Sequence, residues 1–139
     1  MTALNTSRTI SAAPDQVFAA LSDPTRLARW WGPAGFTNTF NVCEFKNGGK
    51  WVYVMHGPDG KDYPNESVFA EIETARKVVI DHVCKPKYHL VITLEPSAEG
   101  TVVSWSQEFE KSKFAESMRG FLTAANEQNL DRLEAEVLR

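Results

Sequence analysis

Two reactive side chains, His82 and Cys84, stand two positions apart in a strand-like run of the sequence. A thiol and an imidazole act together as nucleophile and base when they lie within hydrogen-bonding distance. On a regular strand, side chains at i and i+2 share a face but are too far apart to bond unless the strand bends. The spacing therefore argues against a catalytic pair, and His89, at the start of the next strand, is expected at the surface.

The acidic residue best suited to chemistry is Glu71, in a strand predicted over 67–74. Strict alternation puts it on one face with Phe69 and Glu73. If Phe69 lines a cavity, so does Glu71, and a buried carboxylate can act as an acid, a base or an anchor for a ligand. The alternative is a solvated face that carries one exposed aromatic ring.

Two further strands carry candidate ligand contacts. Trp51, Tyr53 and Met55 alternate on one face of a strand, so His56 is expected to point away from them. On the last strand, Trp105 and Gln107 share a face. An apolar cavity with a few polar groups would have this composition, although Trp105 in an ordinary core would have it as well.

The final helix adds polar positions at Asn126 and Asn129. One of these amides is expected to face inward beside the last strand, and the alternative is that both are solvated.

The segment 29–33, Arg-Trp-Trp-Gly-Pro, closes a short helical region. Adjacent residues of a regular element cannot direct both indole rings to the same face. One ring of Trp30 and Trp31 is therefore expected in a core and the other at a cavity wall or at the surface. Such an arrangement indicates a hollow fold with a mouth.

Composition limits the class of protein. The chain has 139 residues, which suits one domain over 1–139, with 42% hydrophobic and 24% charged residues. A net charge of −3 and scattered basic residues argue against nucleic acid or a membrane surface as partners. No apolar run reaches the ~20 residues of a membrane span, and residues 1–5 do not resemble a signal peptide, so we expect a cytoplasmic protein.

The two cysteines, Cys43 and Cys84, are expected to be reduced and buried. No Cys or His pair has the spacing of metal ligands, and no phosphate loop or dinucleotide fingerprint occurs, so we expect neither a metal nor a cofactor.

The hydrophobic period predicts the elements that hold these residues. A strand over 4–10 precedes two short helices, the first opened by Pro14 and the second by Asp23 as N-cap with Pro24. The period then changes to two and predicts an antiparallel meander. Its strands span 36–45, 50–56, 67–74, 77–83, 88–95 and 101–109, with a hairpin at Asn47-Gly48-Gly49.

A long amphipathic helix of about 26 residues is predicted from an N-cap at Ser112 to the C-terminus, or roughly 39 Å at 1.5 Å per residue. A helix of this length needs a long surface, which a curved antiparallel sheet supplies.

Five segments, 10–18, 29–33, 48–51, 55–60 and 63–64, together resemble a known family over essentially the whole chain. The family is the Hsp90-ATPase-activator-homologue branch of the START/Bet v 1-like (SRPBCC) superfamily. The resemblance implies an α+β helix-grip fold: a curved seven-stranded antiparallel sheet around a long C-terminal helix, with two short helices after the first strand. It also implies an apolar cavity between sheet and helix.

We therefore expect a module that binds a small apolar or amphipathic ligand. By the resemblance, the alternatives are a co-chaperone-like partner of an Hsp90-type chaperone and an enzyme of the polyketide cyclase type, and a homodimer is compatible with either. The expected cavity residues are Trp30, Trp31, Trp51, Tyr53, Met55, Phe69, Glu71, Trp105, Gln107, Met118, Phe121 and Leu122.

Overall fold

The computed structural model describes residues 2–139. Seven strands form one antiparallel sheet in the order β1-β7-β6-β5-β4-β3-β2. The elements, in chain order, are β1 (Thr2–Ile10), α1 (Pro14–Ser22), α2 (Pro24–Trp30), β2 (Thr37–Cys43), β3 (Gly49–His56), β4 (Asp62–Glu73), β5 (Lys77–His82), β6 (Tyr88–Ser97), β7 (Gly100–Phe109), α3 (Ser112–Ser117) and α4 (Arg119–Val137). The predicted helix-grip fold is confirmed.

The long helix α4 packs against α1, α2 and the edge strand β1. Its inward side carries Leu130 and Leu133, which are fully buried, together with buried polar residues. The apolar core lies between this helix, the two short helices and the inner face of the sheet. Within residues 2–139, no helix is both long enough and apolar enough to cross a bilayer.

The starts of the two short helices follow from local chemistry. The Gln16 side chain accepts a hydrogen bond from the Ala13 N–H at 2.9 Å, and Pro14 occupies the first turn of α1. The Asp23 carboxylate accepts a hydrogen bond from the Thr25 N–H at 3.0 Å and caps α2, as predicted.

The C-terminal helix is interrupted, unlike the continuous helix that its periodicity predicts. Met118 leaves helical geometry with φ −107° and ψ 11°, and this separates α3 from α4. The predicted N-cap is also wrong by one position, since Lys111 precedes the first turn and Ser112 lies inside it. Hydrophobic spacing continues across such a break because both segments bury the same side.

The predicted hairpin after β2 is confirmed. Gly48 has φ +79°, a conformation that favours glycine, and its N–H bonds to the Phe69 carbonyl. A Cβ on Gly49 would lie 1.8 Å from the Glu44 carbonyl oxygen, so both glycines of the pair are required. Strand ends differ from prediction by a few residues, most at β4, which begins at Asp62.

A β-bulge at Ala70 breaks the alternation of β4. Phe69 pairs with Ile80 and Glu71 with Val79, so two positions on β4 oppose one step on β5. The extra residue shifts the side-chain alternation by one. Residues before and after Ala70 therefore do not share a face as a regular strand would require.

Candidate functional site

The inner face of the sheet is lined by aromatic rings in mutual contact. Trp51 stacks on Tyr53 and Phe69, with centroid distances of 4.3 and 5.2 Å. Trp31 meets Trp51 edge-on at 4.9 Å and lies 6.0 Å from Trp105. None of these five side chains is more than 4% exposed. Ring-to-ring packing therefore occupies much of the space between sheet and helix.

Both tryptophans of the 29–33 segment are buried, so neither ring reaches the surface, and a place for one of them at a cavity wall stays a prediction. Trp30 ends α2, and its indole N–H donates to the Ala20 carbonyl at 2.8 Å. Trp31 is the C-cap with extended backbone, φ −63° and ψ 133°. Leaving the helix at this residue turns the second ring inward, where it meets Trp30 edge-on at 5.6 Å.

The loop after these tryptophans is tied to α4 by a residue that sequence reasoning missed. The Arg132 guanidinium donates hydrogen bonds to five backbone carbonyls, at 2.8 to 3.3 Å, which belong to Arg29, Trp31, Gly32, Pro33 and Phe36. The Asn129 side-chain oxygen accepts the Gly32 N–H at 2.8 Å. The signal available in the sequence was the position of Arg132, a cationic residue on the inward side of an amphipathic helix.

Gly32 itself has no room for a side chain. Its φ is +102°, and a Cβ there would lie 2.8 Å from the Met55 side chain. Met55, near the end of β3, is half-buried, and its side chain packs against this loop.

Three buried polar side-chain atoms of the interior lack a hydrogen-bond partner among the described residues. They are the indole nitrogens of Trp51 and Trp105 and the hydroxyl of Ser67. The three side chains are at most 2% exposed. Leaving such a group unpaired costs roughly 1–3 kcal/mol. The core therefore buries these polar groups at a cost in stability.

Two tyrosines connect this interior to one end of the sheet. The Tyr53 hydroxyl lies near the side chains of Ser67, Trp31 and Tyr88. Burial raises the pKa of both tyrosines, so both hydroxyls are neutral at neutral pH. The Tyr88 ring stacks on His82 at 4.5 Å and leans on Phe109 at 5.5 Å.

The aromatic series ends at Phe109, which lines a pocket of about 410 Å³ that we call the mouth pocket. It lies between the β5–β6 loop and the β7–α3 turn. Its lining residues are Lys85, Pro86, Lys87, Phe109, Glu110, Lys111 and Phe114. Three lysines face one glutamate at this pocket, while the two phenylalanines and the proline supply an apolar wall.

A second pocket, of about 550 Å³, lies beside the first and is more open. We call it the side pocket. Its lining residues are Asp81, His82, Val83, Lys87, Tyr88, His89, Glu108 and Glu110. His82 and Tyr88 are therefore reached from this side.

Glu71 does not share the inward face of Phe69, and the expectation built on that shared face is wrong. Phe69 is fully buried, whereas the Glu71 side chain is 49% exposed and forms an ion pair with Lys77 at 3.1 Å. The bulge at Ala70 is the cause, because it reverses the alternation between these two residues. Single-sequence periodicity does not reveal a bulge of one residue.

The predicted cavity residues near the helix break have different environments. Phe121 is 62% exposed at the start of α4, so it does not lie in the aromatic interior. Met118 and Leu122 are half-buried, and Leu122 packs with Leu4, Phe109 and Ala115. Adjacent residues of a helix point about 100° apart, so Leu122 packs inward while Phe121 faces solvent.

Polar residues of the predicted site largely bond to one another. Asn126 and Asn129 both face inward, and the Asn126 amide donates to the Gln107 side-chain oxygen at 3.0 Å. His56 lies on the opposite face from Tyr53, as expected, and bonds to Asp62 and Thr39 at 2.7 Å each.

His82 and Cys84 lie within hydrogen-bonding distance, so the geometric argument against this pair is wrong. The Cys84 sulfur is 3.4 Å from Nε2 of His82. Strand β5 ends at His82, and Cys84 belongs to the bend that follows, where the spacing of a regular strand does not apply. Both cysteines are free and half-buried. His89, by contrast, is exposed and bonds to Asp81, as expected.

The His82 ring is held on three sides. Its Nδ1 lies 2.6 Å from the Pro86 carbonyl oxygen, and its Nε2 lies 2.6 Å from the Asn65 side-chain oxygen as well as near Cys84. Burial lowers the pKa of this imidazole, and its hydrogen bonds oppose the shift. Among residues 2–139, no three His, Cys, Asp or Glu side chains lie close enough together to hold a metal ion.

Solved structures of similar fold come from several bacteria. A protein of Arthrobacter aurescens superposes with a TM-score of 0.88 at 26% identity, covering 97% of this chain and 85% of its own. A protein of Nitrosomonas europaea gives 0.86 at 19% identity, covering 97% and 93%. The AHSA1 protein of Silicibacter pomeroyi gives 0.79 at 22% identity, covering 99% and 98%.

No curated protein matches the chain at the level of sequence. The model of one family, described as Activator of Hsp90 ATPase homolog 1-like protein, matches residues 11–137. This match spans all the elements from α1 to α4, and the similar structures share their arrangement. The chain therefore belongs to the Activator of Hsp90 ATPase homolog 1-like family.

Proposed function

We propose that the chain binds a small amphipathic molecule at the mouth pocket. The observation that carries this proposal is the combination of an apolar aromatic wall with a lysine rim in a pocket of about 410 Å³. Volumes of roughly 300–1,000 Å³ are typical of pockets for small molecules. The apolar part of the ligand packs on Phe109 and Phe114, and an anionic head group pairs with the lysines.

The interior behind the pocket supports an acceptor-bearing ligand. Tyr88 contacts Phe109 at the pocket and neighbours the Tyr53 hydroxyl in the interior. Beyond it lie the unpartnered donors of Ser67 and Trp51. A ligand that extends inward along this path gives those donors an oxygen atom to bond.

Decanoate and decanol are suitable probes, because they share an alkyl chain and differ in the charge of the head group. We expect decanoate to perturb the amide NMR signals of Lys85, Lys87 and residues 109–114, and to bind more tightly than decanol. Substituting Lys87→Gln together with Lys111→Gln should remove that preference, while Lys61→Gln, outside the pocket, is the matched control.

The apolar wall has its own test in Phe114→Ala, a residue that is 36% exposed and therefore tolerant of truncation. Losing a largely buried ring contact of ~1–2 kcal/mol corresponds to roughly 5- to 30-fold weaker binding of both probes. Isothermal calorimetry measures it. Unchanged affinity in this variant, or signal changes distributed outside the pocket, would contradict binding at this site.

A second candidate function, a co-chaperone-like interaction with an Hsp90-type chaperone, is favoured by the family match alone. It predicts stimulation of the ATPase activity of the cognate chaperone, measured with increasing amounts of this protein. An ATPase rate that stays at its basal value under saturating protein excludes this function and leaves ligand binding unaffected.

A further inference from the structure

The bend after β5 assembles a set of groups around one thiol. Cys84 Sγ lies 3.4 Å from His82 Nε2 and accepts the Glu66 backbone N–H at 3.4 Å. A thiol next to an imidazole and a backbone donor has both a base to take its proton and a donor to stabilise the resulting anion. Cys84 remains half-buried, so the sulfur is accessible in part.

The positions of protons around His82 follow from its partners. The Pro86 carbonyl can only accept, so Nδ1 carries a proton and donates to it at 2.6 Å. Asn65 donates its amide N–H to the Tyr63 carbonyl at 2.7 Å, which directs its oxygen towards Nε2. Nε2 thus faces two hydrogen-bond acceptors. They are the Asn65 side-chain oxygen and, when it is a thiolate, the Cys84 sulfur.

Moving the Cys84 proton to Nε2 gives both imidazole nitrogens a proton to donate, at the cost of the contact in which the thiol donates to the Glu66 carbonyl oxygen at 3.8 Å. The imidazolium then donates from both nitrogens, and the thiolate accepts from Glu66 and from His82. Burial disfavours an isolated imidazolium and lowers the pKa of His82, but an imidazolium beside a thiolate leaves the pair neutral overall.

Charged and titratable residues surround the pair, and Glu66, whose backbone N–H contacts the sulfur, is one of them. Tyr53 and Tyr88 are buried and neutral, since burial raises their pKa. The charged residues Asp81, Lys87, His89, Glu108 and Glu110 line the side pocket, and Asp81 is paired with His89. Lys85, on the pocket rim, is the residue after Cys84.

The pair lies beside a pocket and a buried hydroxyl. Ser67 lies directly opposite His82 in the β4–β5 register and is fully buried, with the Tyr53 hydroxyl nearby. His82 also lines the side pocket, which provides an approach from solvent.

We propose that Cys84 and His82 form a reactive thiol site that adds to α,β-unsaturated carbonyl compounds. The Cys84 sulfur forms a bond to the β-carbon, the π electrons move to the carbonyl oxygen as an enolate, and the proton held by His82 is delivered to the α-carbon. The product is a thioether, and no oxidant or further reactant is consumed. His82 takes the proton from the Cys84 thiol, orients the sulfur, and returns the proton to the α-carbon.

The test uses N-ethylmaleimide, an α,β-unsaturated imide, with labelling of each cysteine followed by peptide mass spectrometry. Cys43 is an internal control, because burial raises the pKa of its thiol and it has no imidazole in contact. At about pH 6.5 we expect Cys84 to react at least about ten-fold faster than Cys43 and than glutathione. Equal rates for Cys84 and glutathione would overturn the proposal.

The variant His82→Gln separates activation from simple exposure. It should slow the labelling of Cys84 about ten-fold near pH 6.5 and shift the midpoint of the rate–pH profile upward by about one pH unit. His56→Gln, a histidine of β3 that bonds to Thr39 and Asp62 and lines neither pocket, should leave both quantities unchanged. A His82→Gln profile that coincides with that of the unsubstituted protein overturns the role of His82.

This reactivity goes beyond the binding function proposed above, and its test needs no ligand at the mouth pocket. If His82→Gln does not fold, as judged by circular dichroism, the comparison of Cys84 with Cys43 and glutathione across pH in the unsubstituted protein decides the proposal by itself.

Discussion

Trp105 and Trp51 keep buried indole N–H groups without a partner, whereas the Trp30 N–H bonds to the Ala20 carbonyl at 2.8 Å. These side chains belong to the same core cluster and are similarly buried. The difference between them is therefore a difference in hydrogen bonding. Most buried polar groups in proteins have a hydrogen-bond partner, so these two donors are exceptions among the described residues.

Trp105→Phe and Trp30→Phe test this difference. Each loses comparable apolar area, but Trp105→Phe also removes an unpaired donor, whereas Trp30→Phe leaves the Ala20 carbonyl without its partner. We expect Trp30→Phe to lower the free energy of unfolding by about 1–2 kcal/mol more than Trp105→Phe does. Urea denaturation measures both. Equal losses would show that the Trp105 indole is already satisfied, for example by water.

Among the elements, the junction between α2 and α4 depends on one side chain. Arg132 of α4 bonds five carbonyls of the 29–36 segment, and Asn129 holds the Gly32 N–H in the same segment. The planar guanidinium has five donors in a fixed arrangement, which matches several acceptors at once. This contact keeps the segment that follows the buried tryptophans over the end of the helix.

We expect Arg132→Met to lower the free energy of unfolding by about 2–4 kcal/mol, because several buried carbonyls lose a charged donor. Arg132→Lys should recover only part of this, since an ammonium group has three donors and cannot span the same set. Hydrogen exchange of the amides of Gly32 and residues 34–36 provides the local readout. Full recovery by lysine would show that charge alone matters.

For the whole molecule, stability against acid depends on how the C-terminal helix is attached to α2. Glu136 is 6% exposed, and its carboxylate accepts hydrogen bonds from Arg29 and Arg26 at 2.9 and 3.0 Å. The hydrogen bond from Arg29 is the largest cause that lowers the pKa of Glu136, to about 2. An unperturbed glutamate has a pKa of about 4.3.

A folded-state pKa below the unfolded one means that this group stabilises the protein above about pH 4.3 and loses that contribution as pH falls through about 2. Glu136→Gln should therefore lower the free energy of unfolding at neutral pH by about 1–2 kcal/mol, allowing for the solvent exposure of the arginines. The difference from the unsubstituted protein should shrink towards pH 2. Urea titrations from pH 7 to 2 measure it; a difference independent of pH would contradict the assignment.

The sequence by itself determined the architecture: residue periodicity, turn glycines and helix caps are local, and they predicted seven strands, two short helices and a long C-terminal helix. Local signals also located the Asp23 cap and the turn at Gly48. They did not detect the break at Met118, because the hydrophobic side continues across it.

Only the tertiary structure decided which side chains meet. The bulge at Ala70 directs Glu71 outward, the extended C-cap turns Trp31 inward, and the bend after β5 brings Cys84 to His82. Each depends on one or two backbone angles that alternation rules assume to be regular. A small local change in backbone direction decides which reactive groups are in contact, and this is why the sequence predicted the fold of this protein more completely than its chemistry.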